Sequence, residues 1–206
     1  MAKVIVLVEG YARQNADCLV ASPTTVLIED NGKRIIVDPG CNEKLLLVAL
    51  KKQKIEPTDI DYIFLTHFHI DHLLNIRLFL GKDVIDVDTI YRGDSEYNYS
   101  KFLPGTSIEV VPTPGHAFEH ASLLVKTGKG IVAVAGDLWW WVDKNQKTDL
   151  KTLINLVDPF SKSDAQLVAS RELILTKADF VIPGHGKIFK VPKKEVDLWA
   201  VSKDRI

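Results

Sequence analysis

Between positions 66 and 72 the chain reads Thr66-His67-Phe68-His69-Ile70-Asp71-His72, which places three of its six histidines and one carboxylate within six positions. Core packing gives no reason for such crowding, because imidazole and carboxylate groups are costly to bury unless each finds a partner. The preceding run, Tyr62-Ile63-Phe64-Leu65, reads as a buried strand. His67 and His69, two apart in the extended backbone that follows it, therefore point the same way. His72 falls at the start of a helix, where the chain turns back toward the same space. Imidazole and carboxylate are donors that zinc and related divalent ions prefer, and thiolates are not needed. The plain alternative is an exposed histidine-rich turn.

Three later segments each end an apparent strand with another potential ligand: Thr113-Pro114-Gly115-His116, Ala135-Gly136-Asp137 and Ile182-Pro183-Gly184-His185-Gly186. Their glycines suit backbone that turns sharply or approaches closely. Alone, a histidine after Pro-Gly reads as a turn residue and an aspartate after glycine as a cap. Beside the first cluster, those plain explanations require four coincidences. The candidate ligands are accordingly His67, His69, Asp71, His72, His116, Asp137 and His185.

The chain has 206 residues, 46% of them apolar, and a formal net charge of −1. This suits one soluble globular domain, 1–206, able to bury a core without staples. The near balance of acids and bases gives no electrostatic preference for nucleic acid or membrane. The opening MAKVIVLVEGY carries too short an apolar run for a signal-peptide core and reads as a buried first strand. No stretch approaches the roughly 20 apolar residues that span a bilayer, so a cytoplasmic location is expected. Cys18 and Cys41 belong to no C-x-x-C pair and are expected to be free thiols.

Strands and helices alternate without a linker, repeat or low-complexity stretch. Residues 24–38 read as a hairpin turning at Asn31-Gly32, which tolerates positive φ. A second hairpin is expected at 126–130. Helices are expected over 42–54, 71–80 and 164–177, and further strands over 62–65, 107–111, 131–135 and 179–182. The pattern argues for two packed sheets covered outside by helices, although periodicity alone leaves an ordinary α/β sheet open.

The succession of H-x-H-x-D-H, a later His, a later Asp and a final His, running from His67 to His185, resembles the metallo-β-lactamase superfamily. The resemblance covers essentially the whole chain. It implies an αββα sandwich of two mixed β-sheets flanked by helices, with metals at one edge between the sheets. It further implies that His67, His69 and His116 hold one metal, that Asp71, His72 and His185 hold the second, and that Asp137 bridges both. Zinc, two ions per chain, is the implied cofactor, with iron or manganese as alternatives. Asp38, in Val37-Asp38-Pro39-Gly40, matches a supporting acid of the family that fixes a ligand histidine, a plain turn residue being the alternative. His120 matches a family position that is not a ligand and is expected to be structural.

Two neighbouring cations supply hydroxide at neutral pH and polarise the bond under attack, with Asp71 and Asp137 as the catalytic carboxylates. The leading expectation is a metal-dependent hydrolase acting on a small ester, thioester, lactone or amide, with a small molecule as its partner. The alternative is a metal-dependent phosphodiesterase or endoribonuclease with RNA as partner. Val8-Glu9-Gly10-Tyr11-Ala12-Arg13, Val134-Ala135-Gly136-Asp137 and the run from Ala178 to Gly186 resemble a branch of the superfamily with which RNA cleavage is associated. Against it stand the lack of room for a large inserted domain and of a strongly basic stripe. Lys187, Lys190, Lys193 and Lys194 are the nearest approach and read as solvated surface. A third class is an iron-dependent oxidoreductase of the sulfur dioxygenase type. The diiron electron-transfer relatives usually carry a carboxylate where this chain has His69. A non-catalytic binding module would lack ligands, and none is missing. No membrane partner is expected, and a homo-oligomer is left open. Tyr11, Arg13 and the run Trp139-Trp140-Trp141 are candidate pocket residues, because three consecutive tryptophans cannot all face inward from a regular strand.

Overall fold

Val, Ile and Leu fill the strands of two mixed sheets in the computed structural model, which describes residues 1–203. The first sheet opens with β1 (Lys3–Val8), an edge strand. A separate two-stranded ribbon, β2 (Tyr11–Gln14) and β3 (Leu19–Ser22), follows it outside both sheets. The chain then returns to the first sheet with β4 (Thr25–Asp30) and β5 (Lys33–Val37), joined at Asn31 and Gly32 with φ of 48° and 78°. Both angles are positive, which is what a two-residue turn matched to the twist of its strands demands. After α1 (Glu43–Lys52), whose first turn is capped by the Asn42 side chain, come β6 (Tyr62–Phe64) and α2 (Ile70–Leu73). The sheet is completed by β7 (Asp83–Ile85), β8 (Thr89–Arg92) and β9 (Ser95–Asn98), in the order β1-β4-β5-β6-β7-β8-β9. The pairs β5–β6 and β6–β7 are parallel.

The second sheet contains β10 (Glu109–Pro112), β11 (Ala121–Thr127) and β12 (Gly130–Val134). Then α3 (Leu150–Asn155) and α4 (Asp164–Lys177) precede β13 (Phe180–Ile182), β14 (Phe189–Lys190) and α5 (Lys193–Lys203). Its order is β10-β11-β12-β13-β14, with β12–β13 parallel.

Side chains from both sheets share one core: Val26, Ile35, Val37 and Phe64 meet Leu123, Val125, Val134 and Ile182. The outer face of the first sheet is sealed by Leu46 and Leu50 of α1 against Leu27, Ile36 and Ile63. The outer face of the second is sealed by Leu153, Leu167 and Ile174 against Leu124, Ala133 and Val181. Helix, sheet, sheet and helix therefore stack as four layers, the expected αββα sandwich. Each fully buried Ile, Leu or Phe contributes on the order of 2 kcal/mol by leaving water. Among the described residues no helix is long and apolar enough to cross a membrane.

Two expectations are corrected. The first strand is half-exposed rather than buried, because it lies at the sheet edge with one neighbour, β4. The helix expected over 71–80 is α-helical only to Leu73 and continues as a 3₁₀ turn, Leu74–Leu78. Gly40 explains the break: its N–H donates to the His72 carbonyl and its carbonyl accepts from the Asn75 N–H, diverting both groups from helical bonding.

Arg171 of α4 is buried and holds two loops. Its Nε donates to the Leu138 carbonyl at 2.7 Å, and its Nη1 to the Leu156 carbonyl at 2.5 Å. Burial lowers its pKa to about 10, which leaves it charged at neutral pH. Arg171→Met keeps the apolar stem but leaves those carbonyls unpaired, and is expected to lower unfolding stability by about 2–4 kcal/mol. Urea denaturation checks this, and an unchanged midpoint would contradict it.

Candidate metal centre

Parallel strands place their carboxyl ends on one rim, and the loops leaving that rim carry the site. His67 and His69 follow β6, and Asp71 and His72 lie in α2. His116 follows β10, Asp137 sits in the 3₁₀ turn Gly136–Leu138 after β12, and His185 follows β13. The backbone binds these loops together: Ala121 N–H donates to the Thr66 carbonyl at 2.8 Å, and Gly184 N–H to the Gly136 carbonyl at 2.7 Å. A Cβ at Gly184 would collide with Asp137 Oδ1, so only glycine permits that approach.

All seven candidate ligands converge. His67, His69, His116 and Asp137 present donor atoms within 4.8 Å of one another, and so do Asp71, His72 and His185. Asp137 also connects the two groups. Its Oδ2 is 3.4 Å from His116 Nε2 and 3.9 Å from His67 Nε2, while its Oδ1 is 3.4 Å from His72 Nε2 and 3.6 Å from His185 Nε2. Asp71 Oδ2 lies 3.4 Å from His185 Nε2, and His116 Nε2 lies 2.9 Å from His69 Nδ1.

The far nitrogens of the rings fix which atom faces the centre. Nδ1 of His72 is 2.9 Å from Asp38 Oδ2, Nδ1 of His116 is 2.6 Å from Asp158 Oδ2, and Nδ1 of His185 is 3.0 Å from the Tyr11 carbonyl. These partners only accept, so each Nδ1 carries the proton and each Nε2 presents a lone pair inward. His67 reaches the same state by relay: its Nδ1 is 3.0 Å from Thr66 Oγ1, whose hydroxyl donates to Asp38 Oδ2 at 2.8 Å. Asp38 thus orients two ligands, and does so with φ of 48°, a left-handed conformation that a short polar side chain tolerates.

The donor set fits a pair of cations. His67 Nε2, His72 Nε2 and Asp137 Oδ1 are buried without a hydrogen-bond partner among the described residues. A shell of inward lone pairs and carboxylate oxygens is satisfied by positive charge. The electrostatics agree. Burial opposes charge on His72, but the Asp137 and Asp38 carboxylates outweigh it and hold its pKa well above the ordinary imidazole value. Burial likewise opposes ionisation of Asp137, yet His185 and His72 hold its pKa well below the carboxylate range. His67 is driven well below its ordinary value by burial and by the neighbouring His72. Asp71 is held low by His185 and His72 against the opposing effect of burial.

His120 lies outside both groups. Its Nδ1 is 2.9 Å from Thr113 Oγ1, and burial and His116 push its pKa down to about 3. The tryptophans divide: Trp139 and Trp141 are buried in the second sheet's outer core, while Trp140 borders a cavity of about 300 Å³ beside the ligands. Tyr11 and Arg13 do not line that cavity, which corrects their expected role. Strand alternation turns Ala12 toward the site and Tyr11 and Arg13 to the other face, where Arg13 pairs with Asp143 at 2.8 Å. The residue that sequence reasoning missed is Asp158, whose Oδ1 also accepts from the Trp140 indole at 3.1 Å and the Phe160 N–H at 3.0 Å. Its Asp-Pro setting reads as a turn, and no spacing links it to His116. Cys18 and Cys41 are free.

A family model described as the metallo-β-lactamase superfamily matches residues 20–106. Metallo-β-lactamase domain-containing protein 1 of Xenopus laevis is 34% identical, over 92% of this chain and 82% of its own length. The Mus musculus protein of the same name is 31% identical, over 93% and 76%. Among solved structures, a Thermotoga maritima protein described as a candidate metallo-β-lactamase gives a TM-score of 0.68 at 20% identity, covering 92% of this chain and 99% of that one. The chemotaxis sensor ODP, solved as a peroxy diiron species, gives 0.66 at 18%, covering 96% and 90%. The dizinc quorum-quenching lactonase AidC gives 0.60 at 16%, covering 83% and 75%. These structural likenesses are of fold.

Asp158→Ala frees the His116 ring to rotate and to present the wrong nitrogen. Metal affinity is expected to fall about 10–100-fold. Competition against a chromophoric chelator measures it, and an affinity equal to that of the parent protein would refute the orienting role.

Proposed function

We propose that this chain, which belongs to the metallo-β-lactamase superfamily, is a hydrolase that works with two divalent cations on a small ester, thioester, lactone or amide. One observation carries the reading: the two oxygens of the buried Asp137 face two different sets of histidine nitrogens. His67, His69 and His116 would hold the first cation, Asp71, His72 and His185 the second, and Asp137 would be shared. Zinc is the proposed metal, and iron or manganese suit the same donors. Bound in pairs, such cations make water acidic enough to supply hydroxide near neutral pH and draw electron density from a carbonyl or phosphoryl oxygen.

The chain's own side chains supply the remainder. Asp71 is half-buried at the cavity wall, and its depressed pKa keeps it ionised, the form that accepts a proton from an attacking water and returns it to the leaving group. Asp38, Asp158, Thr66 and the Tyr11 carbonyl hold the ligand imidazoles in the tautomer that faces the centre. The indole of Trp140 and the ring of Phe160, with centroids 5.5 Å apart, wall one side and restrict water.

His69→Ala and Asp137→Ala are expected to remove turnover and to lower bound metal below two ions per chain. A panel of thioesters, lactones, β-lactams, phosphodiesters and short RNA on metal-quantified protein tests the class. Full activity in either metal-poor variant would defeat the dinuclear reading. Cleavage of RNA alone would replace it with a nuclease, and oxygen uptake by iron-loaded protein would replace it with an oxidoreductase.

A further inference from the structure

We infer that the cavity at the metal centre selects an uncharged substrate with a straight aliphatic acyl chain, and that the chain lies across Leu19, Ile70 and Phe160. The inference rests on the hydrolase reading and narrows it. Apart from the candidate ligands, the cavity is lined by Ala12, Leu19, Ala21, Ile70, Trp140 and Phe160. Among the described residues, no lysine, arginine, hydroxyl or amide side chain belongs to that wall. Its one polar hydrogen, the Trp140 indole N–H, is already donated to Asp158. Recognition of a carboxylate or phosphate remote from the reacting carbon requires positioned donors, and the wall provides none. Arg13 sits on the same ribbon as Ala12, Leu19 and Ala21, but it faces away, paired with Asp143 and stacked 4.6 Å from the Tyr11 ring centroid.

A second observation points the same way. Apolar side chains stay exposed where the chain passes the ligands: Phe68 between His67 and His69 at 42%, Ile70 beside Asp71 at 63%, Phe118 after His116 at 70%, and Phe160 after Asp158 at 50%. Leu19, on the ribbon, is 42% exposed. Grouped apolar exposure beside a reactive centre has a use where an apolar ligand covers it. The ribbon is pinned at its base, where Asp143 accepts from Ala12 N–H and Arg13 Nε. Leu19 can therefore form one side of a slot whose other sides are Ile70 and Phe160.

The reaction is a simple hydrolysis. The water oxygen bonds to the acyl carbon, the acyl–oxygen or acyl–sulfur bond breaks, the alcohol or thiol leaves with one of the water's protons, and the other passes to solvent, yielding a fatty carboxylate.

Two measurements test the inference. On zinc-loaded protein, kcat/KM for p-nitrophenyl esters from acetate to decanoate is expected to rise about fourfold per methylene until the slot is filled. Bis-p-nitrophenyl phosphate is expected to be cleaved more slowly than any of them. Phe160→Ala and Leu19→Ser are expected to flatten the rise. On metal-free protein, tryptophan fluorescence follows the binding of butanol through octanol, with matching carboxylates as the comparison. Affinity for the alcohols is expected to climb about fourfold per methylene, with the carboxylates weaker, and Phe160→Ala should reduce the climb. Ester kinetics independent of chain length, faster cleavage of the phosphodiester, or alcohol affinities that do not vary with length would overturn the inference. Graded alcohol binding without turnover of any ester supports the slot and counts against the hydrolase reading alone.

Discussion

The carboxylate of Asp137 is the constraint from which the rest of the site follows. It is buried, ionised and approached by nitrogens of four imidazoles, with no lysine or arginine among the described residues to neutralise it. A buried anion of this kind is tolerated only where positive charge is at hand, as a proton or a metal. The surrounding histidines could take up protons, and His72 is poised to do so. Burial and repulsion between neighbouring rings oppose a general protonation, holding the pKa values of His67 and His69 below the ordinary imidazole value. The hydrogen bonds behind the rings commit Nδ1–H outward and leave Nε2 as a base. The same arrangement that makes the cluster costly as bare protein suits its donor atoms to divalent cations.

Those outward bonds tie the site to the first sheet, to the ribbon and to the loop between α3 and α4. Asp38 lies just after β5 of the first sheet and holds His72 directly and His67 through Thr66. Tyr11, at the start of the ribbon, holds His185, and Asp158, in the loop between α3 and α4, holds His116. Arg171 reaches from α4 to the carbonyls of Leu138 and Leu156, which flank Asp137 and Asp158 in the chain. One buried guanidinium therefore steadies the shared ligand and the acid that aims another. Closely packed groups with two-sided hydrogen bonding have little room to relax, which keeps ligand geometry within the tolerance a metal pair demands.

Chemistry and selection occupy different parts of the site. The candidate ligands come from short turns and the helix α2 that directly follow the strands, and they define what reaction can occur. The walls come from the ribbon and from the loops after Asp137 and Asp158, where side chains can change without disturbing the sheets. Trp140 and Asp158 join the two parts, since the indole that forms the wall donates to the carboxylate that orients a ligand.

By itself the sequence determined the ligand types and the main strands and helices, while periodicity left an ordinary α/β sheet open beside the sandwich. Val, Ile and Leu runs broken by Asn31-Gly32 and by helical spacing carry local information, and H-x-H-x-D-H concentrates metal donors where chance would scatter them. The helix expected over 164–177 is observed with those ends, and the Ser163 side chain caps its first turn. Tertiary structure alone decided which residues support the ligands. Asp158 stands 42 positions from the histidine it orients, and the bond becomes possible only when two loops close on each other. Gly40 ended a helix that its own sequence would have continued, and strand alternation sent Arg13 away from the cavity and Ala12 toward it. Periodicity and motif spacing record what a residue does along its own segment; contacts between distant segments depend on register and packing, which the whole fold sets at once.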